Sequence, residues 1–305
     1  MSFSARILAH STFRGGTPLT TFELRYPRMI HPEVMTYRVF ARNASSSRAV
    51  PISKMIQDIK ADTAKPIRWG KNGKGMQDHG LMSPEAQVKA ERLWMKARDS
   101  ALRIAGEMIA MGDEGPHKQI VNRLLEPFGH ITVVLTSNRW ANFYVQRRHP
   151  DAQPEIKHLA DLMWEAQSQS TPKMLEPGDW HLPYVQDFER LALFDLPEDQ
   201  REDGMLSLIK VSVARCARTS YRTFQGKVST FEEDMALYDK LAGSVPLHAS
   251  PAEHQATPDT FKIDMSGPKP RKVWEQPELH GNLPGYVQNR KTLPNENITN
   301  YTPEA

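Results

Sequence analysis

Residues 20–26, TTFELRY, alternate apolar and polar positions with the two-residue period of a strand, and Pro27, which has no N–H for a ladder, closes the run. The next strong period is helical. Ser83 offers an N-cap and Pro84 a first helical position, after which Val88, Leu93, Trp94, Ala97, Leu102, Ile104, Ala105, Met108 and Ile109 recur at roughly helical spacing through residue 111. This predicts a long, buried helix over 84–111. A shorter helix is expected over 117–125, stopped by Pro127, and HITVVLTS at 130–137 reads as a strand. Two further helices fit 138–147 and 155–167, followed by a break rich in Pro, Gly and Asp at 172–204. SLIKVSV at 207–213 has the composition of a strand. TFEEDMALYDKLAG at 230–243 predicts a helix, with Thr230 and Glu233 spaced as a capping box and Gly243 as its stop. From Thr257 onward prolines and polar residues surround a few aromatics such as Trp274 and Tyr286, a composition suited to an arm lying over a surface.

The 305 residues fit one large domain or two average ones. A hydrophobic fraction of 39% and a charged fraction of 25% belong to a soluble globular chain. No apolar run is long enough to span a bilayer and Met1 opens no signal-peptide pattern, so a cytoplasmic location without membrane contact is expected. Cys216 is the single cysteine, which excludes an intrachain disulfide and a cysteine zinc cage within one chain. The net charge of +3 is too small for a duplex-DNA binder and suits a small anionic ligand better. RWGKNGKG at 68–75 lacks the residue order of a phosphate-binding P-loop and reads as a mobile loop.

YRVFARNASSSRAV at 37–50 is a stronger anion candidate. It places two arginines, an asparagine and three serines between Arg42 and Arg48. Serine hydroxyls and exposed backbone N–H groups can wrap a phosphate while arginine clamps it; a solvated serine-rich turn is the other reading of these residues alone. ANFYVQRRHPDAQPEIKHLA at 141–160 orders Asn142, Arg147, Ala152, Gln153, Glu155 and Ile156 as in the NFxxLRxxxxAQxEI pattern of flavin-dependent thymidylate synthases, with Gln146 in place of the leucine.

The 37–50 stretch resembles that family's RHRxxSxNExSxRY signature in Arg38, Asn43, Ser46 and Arg48. It departs at Thr36, Tyr37, Ala41, Ala44 and Ala49, where Arg, His, Ser, Glu and Tyr are expected. NRLLEP at 122–127 resembles ARxxLP, whose arginine, here Arg123, reaches the nucleotide phosphate of a neighbouring subunit. VARCARTSY at 213–221 and HASPAEH at 248–254 resemble segments that open the family's chains but lie late in this one, which implies a circular permutation.

The resemblance implies an α/β fold with a mixed sheet and long helices, in one domain over 1–256 with insertions near 51–82 and 172–204 and an extended arm over 257–305. It implies one-carbon transfer to carbon 5 of a deoxyuridylate-type pyrimidine deoxynucleotide, using FAD, methylenetetrahydrofolate and NADPH, in a homotetramer with sites at subunit interfaces. Ser46, Ser47, Arg48, Arg123 and Arg147 would bind substrate, with Arg147 catalytic at the pyrimidine edge. Arg38, Asn43, Asn142, His248 and Ser250 would bind cofactor. The altered signature leaves open hydroxymethylation of dUMP or dCMP on the same scaffold, and a non-catalytic nucleotide-binding relative. A cysteine-dependent mechanism would need Cys216 as a thiolate, yet its surroundings read as those of a buried small hydrophobe.

Overall fold

Strands Ser4–Thr12 (β1) and Leu19–Pro27 (β2) pair antiparallel, with one register shift between Ile7 and Ala9. β2 then pairs along its whole length with His130–Ser137 (β4), and the short Ala41–Ala44 (β3) closes on the far side of β4. Lys173–Met174 (β5) joins β1 in parallel, giving a mixed five-stranded sheet of order β3-β4-β2-β1-β5. The computed structural model describes residues 3–219, 229–242, 244, 246–297 and 299.

Helices His31–Met35 (α1), Ile52–Ala61 (α2), Pro84–Ala110 (α3) and Lys118–Leu125 (α4) fall between β2 and β4. Ala141–Arg147 (α5) and Pro154–Ser168 (α6) follow β4, and Asp187–Leu191 (α7), Arg201–Arg218 (α8) and Phe231–Ala242 (α9) follow β5. Side chains alternate across the sheet, so Phe22, Leu24 and Tyr26 of β2 and Ile131, Val133 and Leu135 of β4 share one face. That face packs on Phe143 and Tyr144 of α5 and Ile156, Leu159 and Met163 of α6. Asn43, Thr21 and Thr136 point to the other face, where α8 and the turn Ser250–Glu253 cover them.

Two expectations change. Residues 207–213 form the middle of α8, in which Leu208, Ile209, Val211, Val213, Ala214, Cys216 and Ala217 are buried on almost every side. A run that is apolar all round has no helical period to read, although acidic Glu202 and Asp203 at its start and basic Arg215 and Arg218 at its end suit a helix dipole. α3 forms with the expected Ser83 cap, whose Oγ accepts from Ala86 N at 3.2 Å, yet it is not buried. Only Ala101 and Ala105 are fully buried, with Trp94, Leu102 and Met108 packed half-buried on the same core, while Val88 is 60% and Leu93 57% exposed, because α3 meets α4 along a narrow stripe and its other apolar positions spread around the cylinder.

The capping box of α9 is present: Glu233 N donates to Thr230 Oγ1 at 3.3 Å and Thr230 N to Glu233 Oε2 at 3.1 Å. Gly243, its expected stop, lies outside the described residues. The 68–75 loop is exposed and is held at its base by a Gly70–Leu81 bridge and a two-bond Arg68–Asp78 pair at 2.7 and 2.8 Å. Beyond residue 255, Ala256–Pro258 (β6) pairs with Tyr286–Gln288 (β9), and Phe261–Asp264 (β7) pairs with Arg271–Trp274 (β8). A last turn, Asn289–Thr292 (α10), follows β9. Tyr286 and Leu283 are fully buried with Phe13, Leu19 and Leu175, so this segment completes a second small core at one end of the sheet. Among the described residues no helix is long and apolar enough to cross a membrane, and no group of His, Cys, Asp and Glu could hold a metal ion.

Candidate functional site

A cavity of about 430 Å³ opens between the turn that follows α1 and the start of α5. Thr36, Tyr37, Arg38 and Val39 form one wall, and Arg139, Asn142, Phe143, Gln146 and Arg147 the other. The second wall follows in part from helical geometry: Asn142, Phe143, Gln146 and Arg147 share one face of α5, while Arg139 stands before the helix, which begins at Ala141 and not at the expected 138. Aromatic packing fixes the floor: Tyr37 stacks on Phe40 with ring centroids 5.5 Å apart and meets Phe143 edge to face at 5.1 Å. The Tyr37 hydroxyl donates to Gln146 Oε1 at 2.7 Å, and Gln146 Nε2 donates to Asn142 Oδ1 at 3.3 Å.

The electrostatics of this cavity are unbalanced. The Arg147 guanidinium lies 5.3 Å from the centre of the Tyr37 ring, and its Nε is buried without a hydrogen-bond partner. Arg139 reaches a carbonyl, that of Asn282, at 3.4 Å. Among the described residues Arg38, Arg139 and Arg147 have no carboxylate partner. Three cations around one concavity favour an anionic ligand, and a buried donor without a partner costs free energy that a ligand acceptor recovers.

A second polar cluster sits at the other end of β3. Ser47 is 3% exposed, and its hydroxyl donates to Glu126 Oε1 at 2.6 Å. Arg123 Nη1 donates to the same oxygen at 3.1 Å and Arg28 Nη1 at 3.3 Å. Asn122 Nδ2 donates to the carbonyls of Ser47 and Val50, both at 2.8 Å, and so fixes the serine turn on α4. Ser46 is half-buried and Arg48 exposed. Arg123 therefore meets the serine turn within one chain.

The late segments return to this strand. Asn43 is buried and its Nδ2 donates to the Cys216 carbonyl of α8 at 2.5 Å, across 173 positions of sequence. The Ser250–Glu253 turn packs against both β3 and α8. His248 and Ser250 are exposed beside it. The expected cofactor set is thus divided: Arg38 and Asn142 line the cavity with Arg147, while Asn43, His248 and Ser250 lie outside it. Tyr37, Arg139 and Gln146 of the cavity and Arg28 and Glu126 of the serine cluster were not anticipated. For Arg139 and Gln146 the helical spacing from Asn142 and Arg147 was the available signal; Arg28 and Glu126 are joined by contacts between distant elements.

Beneath β3 a buried polar chain crosses the sheet. His181 Nδ1 pairs with Ser11 Oγ at 2.9 Å and Nε2 with Thr21 Oγ1 at 2.7 Å; Thr21 meets Thr136 at 2.6 Å, and Thr136 meets His254 Nδ1 at 2.8 Å. Burial drives the pKa of His254 down to about 3, and burial together with the charges of Arg190, His10 and His254 holds His181 well below its ordinary value. Both rings are neutral spacers in the folded protein.

Cys216 is fully buried in α8, and burial raises its thiol pKa far above the ordinary range. Thiolate nucleophilic catalysis has no support in such a site. A disulfide reagent is expected to label Cys216 in the native protein at least about a hundredfold more slowly than in denaturant, since reaction requires opening of the core. Labelling at equal rates would show the thiol to be accessible.

No protein-family profile and no curated protein matches the chain. Among solved structures, the UMP/dUMP methylase PolB from Streptomyces cacaoi bound with 5-Br UMP is 16% identical, over 57% of this chain and 90% of that chain, with a TM-score of 0.43. The same enzyme bound with 5-Br dUMP is 17% identical, over 52% of this chain and 68% of that one, with a TM-score of 0.39. At those scores the likeness fixes neither the fold nor the chemistry of this chain.

Proposed function

We propose that the chain binds a deoxyuridylate-type pyrimidine nucleotide and transfers a one-carbon unit to carbon 5 of its base, giving the methylated nucleotide. The observation that carries this reading is the meeting at β3 of segments that resemble one family's site but lie far apart and permuted in sequence. Asn43 of the serine-arginine stretch holds the Cys216 carbonyl, the Ser250–Glu253 turn packs on the same strand, and Arg123 joins Ser47.

In this reading the pyrimidine lies in the cavity beside Arg147, whose charge stabilises electron density that develops on the base during attack at carbon 5. Tyr37 and Phe143 present aromatic surface to the ring. The phosphate goes to Ser46, Ser47, Arg48 and Arg123. Cavity and serine cluster lie at opposite ends of β3, and the nucleotide would bridge them within one chain or between subunits of a homotetramer.

The donor set also fits a cofactor that carries phosphate: Arg38 and Arg139 are free of carboxylates among the described residues, and Asn142 adds an amide to the same wall. Arg38, Arg139 and Asn142 would hold FAD, with surface from beyond this cavity, because about 430 Å³ takes one nucleotide-sized ligand and not a whole dinucleotide in addition. Bound flavin, once reduced by NADPH, would supply the hydride that completes the methyl group, with methylenetetrahydrofolate as the one-carbon donor.

Mass spectrometry of dUMP, UMP and dCMP after incubation with protein, methylenetetrahydrofolate, FAD and NADPH tests the reading. A methyl increment on dUMP is expected. A hydroxymethyl increment would redirect the product, and tight nucleotide binding without any increment would identify a non-catalytic relative. Arg147→Ala is expected to weaken dUMP binding about 10- to 100-fold, the worth of hydrogen bonds to a charged donor, with little loss of stability because the guanidinium makes no ion pair among the described residues. Unchanged dUMP affinity in a folded variant would remove the base from this cavity.

A further inference from the structure

We propose that Ser47, Arg28 and Arg123 form a phosphomonoester site that the chain's own Glu126 carboxylate fills when no ligand is bound, so that phosphate enters by displacing Glu126. The inference rests on the reading of the serine-arginine turn as a phosphate cradle, and it adds Arg28 as a binding residue and Glu126 as the internal competitor.

Three donors from three parts of the chain converge on one carboxylate oxygen. Glu126 Oε1 accepts from Ser47 Oγ at 2.6 Å, Arg123 Nη1 at 3.1 Å and Arg28 Nη1 at 3.3 Å. The second oxygen takes a single long contact, from Arg123 at 3.4 Å. Such convergence of a hydroxyl and two guanidinium groups is the donor arrangement that phosphate oxygens accept.

Two of the three donors are held in place without Glu126. Arg28 Nη2 is anchored on the Ser45 carbonyl at 3.1 Å, and the Arg28 side chain is only 17% exposed. The Ser47 backbone is tied to Asn122 at 2.8 Å. Glu126 begins the single turn Glu126–Phe128, whose backbone is closed by Gly129 N donating to the Glu126 carbonyl at 3.1 Å. Its side chain can therefore swing out while the turn stays intact, toward the side where Arg123 is 60% exposed.

Charge decides the exchange. Among the described residues Glu126 is the carboxylate that pairs with both Arg28 and Arg123. One negative charge thus answers two cations, whereas a phosphomonoester brings nearly two charges and three acceptor oxygens to the same donors. The position is also where the sequence leaves the pattern it resembles, since NRLLEP has Glu126 where ARxxLP has an apolar residue that could not compete for the donors.

Calorimetric titration of the full chain with inorganic phosphate, dUMP and deoxyuridine tests this. Glu126→Gln is expected to tighten inorganic phosphate and dUMP about tenfold or more, with deoxyuridine unaffected, because both arginines lose the carboxylate they share among the described residues while Arg28 stays anchored on the Ser45 carbonyl. Unchanged or weaker phosphate binding in a folded Glu126→Gln protein overturns the proposal. Arg28→Lys, read in the otherwise native chain, keeps the charge and removes the forked donor; it is expected to weaken phosphate at least about fivefold, and unchanged affinity there also overturns the proposal even if Glu126→Gln does not fold. If Glu126→Gln tightens inorganic phosphate but not dUMP, the anion site stands and the pyrimidine reading falls.

Discussion

Asp234→Ala is expected to lower the free energy of unfolding by about 3–5 kcal/mol, the cost of leaving a buried charge without its partner. Asp234 lies on α9 with its side chain fully buried. Its Oδ2 accepts from Arg215 Nε and its Oδ1 from Arg218 Nε, each at 2.8 Å. Arg215 is 12% exposed and also donates to both oxygens of Glu189 at 2.8 and 2.7 Å, so α7, α8 and α9 are joined through one guanidinium. Removing the central carboxylate leaves Arg218 without a carboxylate among the described residues and Arg215 with Glu189 alone, side by side in the last turn of α8. The same helix carries the Cys216 carbonyl that Asn43 holds, so loosening of α9 is transmitted to the strand between the two candidate anion sites. Urea unfolding at neutral pH measures the loss. Arg218→Ala, which removes the more exposed partner at 21%, should cost clearly less. A loss below about 1 kcal/mol for Asp234→Ala would place this network among surface ion pairs of little worth.

The elements legible from sequence were those with a local period and a local stop. β2 and β4 alternate or run apolar between breakers, and α4, α5, α6 and α9 carry caps or prolines within a turn of their ends. β3 carries no such mark. Its four residues sit between a turn and a serine run, and it exists because Ala41 to Ala44 find Thr136 to Val133 on a strand almost a hundred positions away. α8 was hidden for the opposite reason, because its middle is buried on almost every side and offers no clear apolar stripe. The site divides in the same way. Arg38, Asn142 and Arg147 stand in motifs that can be read locally, and the fold gathers them around one cavity. Arg28 stands in no motif and Glu126 stands where NRLLEP departs from one; their meaning is a contact across 98 positions. Asn43 carried a motif identity, but the structure commits its amide to a backbone carbonyl, a role no pattern distinguishes from ligand binding.

Lowering the pH from 7 to 5 is expected to remove about 2 kcal/mol of stability through His254 alone, with His181 acting in the same direction, before the carboxylates titrate. Both rings are fully buried and both are held neutral, His254 with a pKa near 3 and His181 well below its ordinary value. In the unfolded chain each takes up a proton near pH 6.5. The folded pKa lies below the unfolded one, so the unfolded state binds more protons as pH falls beneath 6.5 and stability drops at about 1.4 kcal/mol per pH unit for each site. Over 1.5 units that is about 2 kcal/mol for His254. Two partly buried rings act with the same sign: burial, then Arg28 and Arg42, lowers His31 to about 4, and burial, then Arg25, lowers His130 to about 4. Their share is complete near pH 4, whereas that of His254 continues toward pH 3. Urea unfolding at half-unit steps between pH 7 and 5 gives the slope directly. In His254→Gln, whose amide can still reach Thr136, stability at pH 7 falls but the slope should lose about one proton's worth. A stability that stays flat from pH 7 to 5 would mean that these histidines are charged or solvated in the folded protein, and the polar chain from Ser11 to His254 would not be the closed, dry array that its hydrogen bonds describe.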